Sequence, residues 1–281
     1  MPTPSRSTWL ITGCSTGLGR ALAQRVLAQG YRCVVTARDA ATVADVVAPH
    51  PDTARAVALD VTNPAQRAEA IRVAEDAFGG VDVLVNNAGY GYSAAVEEGD
   101  EATIRALFDT NFFALAALTR EVLPRMRARR HGHVINVSSV GGVAASVGTG
   151  YYCATKFAVE GLSESLAQEV QPFGIRVTLV EPGPFRTDFL GRSMASAATE
   201  NAAYDATAGA RRRQMRANDG RQPGDPVRAA DAIITVVESP APPLHLLLGD
   251  AAYERARTKL TAFLASMEAW EPVTRATDFD E

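Results

Sequence analysis

Short, uniformly apolar runs punctuate the first two thirds of the chain: Thr8–Ile11, Cys33–Thr36, Ala56–Leu59, Val81–Val85, His133–Val137 and Ile175–Val180. Each carries apolar residues at neighbouring positions instead of alternate ones, the pattern of a strand covered on both faces. Helical stretches lie between them, at Leu18–Gln29, Pro64–Phe78, Glu101–Arg129 and Tyr152–Gln171. A helix near Pro226–Glu238 then precedes a seventh candidate strand, Leu244–Leu248. Strands alternating with helices predict an α/β fold, a doubly wound parallel sheet of about seven strands with helices on both faces. The alternation is unbroken to Pro182, so residues 1–281 are expected to form a single domain.

Two segments depart from that rhythm. Thr187–Asp225 has scattered apolar residues, many Ala and Ser, and the basic run Arg211–Arg216. It follows the carboxyl end of a strand, where open α/β sheets bind their ligands, so it reads as a substrate-covering insertion that is helical in part. The basic run is expected to be a solvated helix face. The tail Ala251–Trp270 reads as a helix whose Phe263, Leu264, Met267 and Trp270 share one side and need cover from the core or from a partner subunit.

Composition narrows the function. A formal net charge of −4 argues against a nucleic-acid surface. No apolar run is long enough to span a bilayer, and the polar N-terminus does not look like a signal peptide, so no membrane partner is expected. Cys14, Cys33 and Cys153 stand singly, which fits a reducing, cytoplasmic setting better than a disulfide framework. His50, His131, His133 and His245 have no metal spacing, and no metal is expected.

The chemistry begins after the first strand, where Thr12-Gly13-Cys14-Ser15-Thr16-Gly17-Leu18-Gly19 opens into a helix. Glycines let backbone approach a pyrophosphate, and the helix N-terminus offers that anion unpaired N–H groups. This is the first turn of a Rossmann-type nucleotide fold. The second strand ends Ala37-Arg38-Asp39. Ala37 stands where a carboxylate for a free ribose 2′-hydroxyl would be expected, and Arg38 can fork onto a 2′-phosphate. NADP(H) is therefore the preferred cofactor, with NAD(H) as the alternative if Asp39 takes the ribose hydroxyls or pairs with Arg38. Asp60, ending the third strand, has the acceptor chemistry to meet the adenine, with Val61 beside it. Further on, Tyr152 and Lys156 stand four residues apart on a predicted helix, so a phenol and an ammonium share one face. A neighbouring cation lowers a phenol's pKa, which suits a proton-transferring tyrosine.

With Asn86-Asn87-Ala88-Gly89, Asn111, Ser139 and Pro182-Gly183 followed by Thr187, these motifs stand in an order that resembles the short-chain dehydrogenase/reductase family, in its compact single-domain subclass. Thr12–Gly19 and Glu181–Asp188 are similar to those of bacterial oxidoreductases of the 17β-hydroxysteroid and retinol dehydrogenase type. The resemblance implies a hydride-transferring oxidoreductase acting on a carbonyl or secondary alcohol. Tyr152 would be the acid or base, Ser139 would hold the substrate oxygen, and Lys156 would lower the Tyr152 pKa and hold the ribose. Asn111 would hold a relay water. Gly13, Ser15, Thr16, Gly17, Leu18, Gly19, Arg38, Asp60, Val61, Asn87, Ala88, Gly89, Pro182, Gly183 and Thr187 would line the cofactor together with Tyr152 and Lys156.

Apolar Val143, Phe185, Phe189 and Leu190 suggest a hydrophobic small-molecule ketone or aldehyde, steroid-like, retinoid-like or aryl, with Val143 and Phe185 joining Ser139 and Tyr152 at the substrate. The helices Glu101–Arg129 and Tyr152–Gln171 form the usual dimer face of the family, which implies a homodimer or homotetramer. The alternative is a non-catalytic NADP(H)-binding sensor or scaffold on the same fold. Lyase chemistry ranks behind both, because the lysine and the glycine turn it usually lacks are present.

Overall fold

A computed structural model describes residues 7–279; the polar start Met1–Arg6 read from sequence lies outside them. Seven parallel strands make the main sheet, in the order β3-β2-β1-β4-β6-β7-β9. They are β1 (Thr8–Ile11), β2 (Arg32–Ala37), β3 (Ala54–Ala58), β4 (Val83–Asn86), β6 (Gly132–Val137), β7 (Ile175–Pro182) and β9 (His245–Leu248). A separate parallel pair, β5 (Gly91–Ser93) and β8 (Met194–Ser196), is legible in no apolar run of the sequence. The helices are α1 (Gly17–Ala28), α2 (Ala44–Val47), α3 (Pro64–Phe78), α4 (Glu101–Phe108), α5 (Ala114–Arg129), α6 (Val140–Val143), α7 (Gly150–Val170), α8 (Ala210–Ala217), α9 (Pro226–Glu238), α10 (Asp250–Ala269) and α11 (Glu271–Arg275).

The sheet is buried on both faces, as the unbroken apolar runs require. In β1, Trp9 and Ile11 join a core with α1 and α9, while Leu10 points into the opposite core with α3, α5 and α7. Cys33 and Val35 against Val34 in β2, and Ile135 and Val137 against Val134 in β6, repeat that division. Helix starts follow local chemistry. Asn63 accepts from the backbone N–H of Ala65 and Gln66 ahead of Pro64, and Asp225 does the same for Val227 and Arg228 ahead of Pro226.

One expected helix is not continuous. The stretch Glu101–Arg129 is broken by a π turn over Asp109–Phe113, which carries Asn111 into the interior. Such turns widen the helix by one residue per turn and aim a side chain that an α-helix would place elsewhere. Polar groups also tie the sheet to the helices on this face. Asn86 Nδ2 donates to Thr119 Oγ1 at 2.9 Å and to Asn136 Oδ1 at 2.9 Å, and Asn136 Nδ2 donates to Ser163 Oγ at 2.8 Å.

Candidate active site

The strand order reverses beside β1, and the crevice beyond the carboxyl ends of β1 and β4 is the ligand position of such sheets. The glycine turn fills one wall of it. Gly13 and Gly17 have φ of +73° and +63°, in the left-handed region that favours glycine. A Cβ on Gly13 would stand 2.9 Å from Ala88 Cα, and one on Gly19 would stand 2.3 Å from Asn87 Nδ2. The turn is held from β4's end: Asn87 Nδ2 donates to the carbonyls of Thr12 (2.8 Å) and Gly13 (3.1 Å), while the N–H groups of Asn87 and Ala88 both donate to Thr12 Oγ1 at 2.9 Å. Asn87 thus secures the turn itself. Thr16 begins α1 without a side-chain cap. Its first-turn N–H groups therefore suit an anion. A bare glycine wall ending at such a terminus fits a dinucleotide's pyrophosphate.

The adenosine end is polar. Asp60 accepts from Thr62 N at 2.9 Å and from Thr62 Oγ1 at 2.7 Å. These bonds, with a smaller contribution from Arg38, hold its carboxyl below the ordinary aspartate value. Arg38 is exposed at the end of β2. Asp39 Oδ1 accepts from Ala41 N at 2.9 Å as the cap of the following turn, so one of its carboxylate oxygens is engaged by backbone. Val61 buries its side chain in the α3/α5 core, and its carbonyl accepts from Arg67. Leu18 packs on the α1/α9 core.

At the other end, Tyr152 and Lys156 lie on α7, with the Lys156 ammonium 5.7 Å from the Tyr152 ring centre. Lys156 Nζ donates to Val137 O at 2.8 Å. Burial depresses its pKa to about 8, against a smaller opposing effect of Glu160. Burial likewise pushes the Tyr152 phenol up, to about 12, although a hydrogen bond from Ser139 lowers it. The lowered phenol expected from the Lys156 spacing is therefore not what this geometry gives: Lys156 donates to a backbone carbonyl, and desolvation of the phenol outweighs the Ser139 hydrogen bond. Ser139 caps α6, accepting from Gly141 N at 3.0 Å. Ser138 points away and donates to Glu160 Oε1. Of the two adjacent serines, Ser139 is the one that reaches Tyr152.

Asn111 Oδ1 accepts from Tyr90 N at 3.0 Å, and its Nδ2 donates to Tyr90 O (2.8 Å) and Thr155 Oγ1 (3.2 Å). A Cβ on Gly89 would meet Asn111 Oδ1 at 3.1 Å and Lys156 Nζ at 3.8 Å. Asn111, Gly89 and Lys156 therefore form one cluster. Pro182 ends β7, and Gly183 N donates to Leu248 O at 2.9 Å. Thr187 lies beside the glycine turn, 3.5 Å from where a Gly17 Cβ would stand.

The insertion corrects two expectations. Phe185 packs against the α1/α9 core and beside Gly224. Phe189 is the aromatic neighbour of Tyr152, with ring centres 5.8 Å apart. Val143 is half-buried at the end of α6. The basic run is a solvated face only in part: Arg213 and Arg216 are exposed, but one member turns inward. Arg212 is 3% exposed and pairs with the equally buried Glu98 at 2.7 Å and with Glu200 at 2.9 Å. Arg192, unremarked in the sequence, donates to Thr16 Oγ1 at 2.8 Å and to Ser15 Oγ at 3.2 Å. It places a cation over the glycine turn, and it also lines a cleft of about 410 Å³ with Arg186, Thr187, Asp188, Gly191, Asp219 and Gly220.

A second group emerges only in three dimensions. Glu160, Glu181 and His245 bring ligand atoms within 4.8 Å of one another, and His245 Nδ1 lies 2.7 Å from Glu181 Oε1. Burial and the nearby Glu181 push Glu160 up to about 7. Residues from α7, β7 and β9 meet here, so no sequence spacing announces the cluster.

Comparison with known proteins gives the family and its fold. The family model described as short chain dehydrogenase matches residues 7–198. The chain belongs to the short-chain dehydrogenase family, and is a nicotinamide-dependent oxidoreductase of the dehydrogenase/reductase kind. It is 37% identical over 270 residues to Oxidoreductase BOA17 of Botryotinia fuckeliana, covering 96% of this chain and 98% of that protein. Retinol dehydrogenase 8 of Bos taurus is 35% identical over 282 residues, covering 94% of this chain and 86% of that one. Among solved structures, a short-chain dehydrogenase from Streptomyces avermitilis superposes with a TM-score of 0.92 at 42% identity, over 98% of this chain and 100% of that chain. The closed form of serine dehydrogenase complexed with NADP+ matches at a TM-score of 0.74 and 26% identity, over 86% and 94% of the two chains. No helix among the described residues is long and apolar enough to cross a membrane.

Proposed function

We propose that the protein is an NADP-preferring reductase/dehydrogenase that interconverts a hydrophobic ketone or aldehyde with its alcohol, in one domain whose insertion at 187–225 covers the substrate. The observation that carries this reading is the convergence of Ser139, Tyr152 and Lys156 at one end of the crevice whose other end is the glycine turn. A bound nicotinamide dinucleotide would supply or accept the hydride. The chain's own part is to hold a proton on the Tyr152 oxygen. A phenol raised to about 12 keeps that proton at neutral pH, as an acid for a nascent alkoxide must. Ser139 adds a donor toward the same oxygen. Lys156 is fixed by Val137 O, where it can also meet a ribose.

Support for NADP over NAD is the exposed Arg38 with no carboxylate at Ala37, and an Asp39 occupied as a cap. Arg192 offers a second cation, toward the diphosphate. Support for a hydrophobic substrate is Phe189 on the Tyr152 ring, with Met194 and the Tyr90–Tyr92 segment beside it. Phe113 and Phe157 are exposed on the α5/α7 side, which supports pairing of subunits through that face.

Initial rates with NADPH and NADH over a panel of ketones and aldehydes test the reading. NADPH should be the better cofactor, and Tyr152→Phe should lower kcat by about 10²–10⁴-fold while leaving NADPH binding intact. Unchanged turnover in Tyr152→Phe would overturn the mechanism. Tight NADPH binding with no turnover across the panel would favour the sensor reading.

A further inference from the structure

Helix α10 is seated on the body only by its first turns. Ala252 and Ala256 are fully buried, and Arg255 donates to the carbonyl of Ala144. From Thr261 onward every described residue is exposed. About 15 Å of helix, with α11 beyond it, therefore stands clear of the domain. That free part is not polar. Leu260, Phe263, Leu264, Met267 and Trp270 are all more than half exposed, Trp270 by 63%. Positions 253, 256, 260, 263, 267 and 270 alternate by three and four residues, the spacing of a seam between two helices. The side that docks the helix at Ala256 thus continues past the domain edge as an uncovered apolar stripe.

Charge along the helix identifies the occupant. Asp250–Lys259 carries three cations, Arg255, Arg257 and Lys259, against Asp250 and Glu254; Leu260–Glu271 carries Glu268 and Glu271 and no cation. A lipid surface favours a helix with a basic polar face, which the exposed part of α10 does not have. A second copy running antiparallel sets the basic half of each helix against the acidic half of the other, whereas a parallel copy sets like against like. Covering the five apolar side chains removes roughly 600 Å² per copy, about 1,200 Å² for the pair. That reaches the size of a stable interface.

We propose that α10 is a self-association helix: two copies of the chain pair through it as an isologous, antiparallel two-helix seam. Leu260 faces Trp270 of the partner subunit, Phe263 faces Met267 of the partner subunit, and Arg257 faces Glu271 of the partner subunit. This seam is separate from the α5/α7 face and independent of the catalytic reading. It joins subunits by a two-fold axis near the middle of the free helix. Arg257 and Glu271, now paired within the chain to Glu254 and Arg275 at 2.7 Å and 2.6 Å, gain a second partner there.

The test is the solution mass of the full chain by light scattering and sedimentation velocity. The wild type should exceed the monomer's 29.8 kDa. Phe263→Glu with Met267→Glu should halve the assembly while thermal unfolding and NADPH affinity stay unchanged. Arg257→Glu should raise the dissociation constant several-fold, and adding Glu271→Arg should restore it. A monomeric wild type, or a mass unmoved by Phe263→Glu/Met267→Glu, overturns the proposal. So does failure of the charge swap to restore association. Pelleting with phosphatidylcholine vesicles that the apolar variant abolishes, with mass unmoved, would assign the stripe to lipid instead.

Discussion

The glycine turn and the insertion face each other across one crevice, yet they are built differently. The turn is close-packed backbone: Gly13, Gly19, Asn87 and Ala88 fit with no room for a Cβ, and neutral amide bonds hold them. The insertion joins the body through the β5/β8 backbone pairing and through charge: Arg212 to Glu98 and Glu200, and Arg192 to the Ser15 and Thr16 hydroxyls, with Arg213 paired to Asp205 within the insertion. One wall is rigid because nothing else fits. The other depends in part on ion pairs, which a fall in pH can weaken. A site that must hold a dinucleotide firmly and admit a substrate needs both kinds of wall.

Cutting the buried pair should separate the two walls most. Arg212→Ala leaves Glu98 without its cation, held only by the N–H groups of Ala95 and Asn201, at a local cost of about 1–3 kcal/mol. Limited proteolysis should then cleave within 187–225 while the sheet's circular dichroism is retained; an insertion as resistant as wild type would show that charge does not hold it. Acid should act in the same direction. Glu98 is held below the ordinary glutamate value by the N–H groups of Asn201 and Ala95 and by Arg212. Its contribution is therefore complete above a pH near that ordinary value and is lost as pH falls through the lowered folded value.

Gly19→Ala attacks the rigid wall. An alanine would ordinarily favour a helix here, but its Cβ would stand 2.3 Å from Asn87 Nδ2 and 2.5 Å from Gly13 O. Destabilisation of about 1–3 kcal/mol is expected, with loss of NADPH binding measured by fluorescence titration. A stabilised variant that still binds would contradict the packing described. Arg192→Ala should have the smallest effect. Its partners are exposed hydroxyls, so the fold's melting temperature should not move. NADPH affinity should weaken by roughly 3–10-fold, an effect that added salt diminishes.

The same difference decides what could be read from the sequence. The β1–α1 turn, the strands and the order Asn111, Ser139, Tyr152, Lys156 are written in local residue types, because glycine conformation, helix spacing and apolar runs act over a few residues. The insertion's contacts act over long separations. Arg212 meets Glu98 from a distance of 114 residues, and Arg192 meets Thr16 from 176. A basic run gives no sign of which member will be buried, and the Phe185 ring gave no sign that Phe189 would take the place beside Tyr152. The π turn at Asn111 was hidden for a related reason: it inserts one residue into a helix whose composition is ordinary.

The amide chain from Thr119 through Asn86 and Asn136 to Ser163 has a consequence for how this protein finds its fold. Aliphatic strands such as β4 and β6 would lose little apolar contact on slipping by two residues, since the same faces would still be inside. Asn86 and Asn136 are register partners in the sheet, and both are buried. A slipped pairing strands the amides of Asn86 and Asn136 in an apolar interior, each at roughly 1–3 kcal/mol. These two residues act as an alignment key. They reject near-native pairings that greasy strands alone would tolerate, and so keep the carboxyl ends of β4 and β6 level with each other.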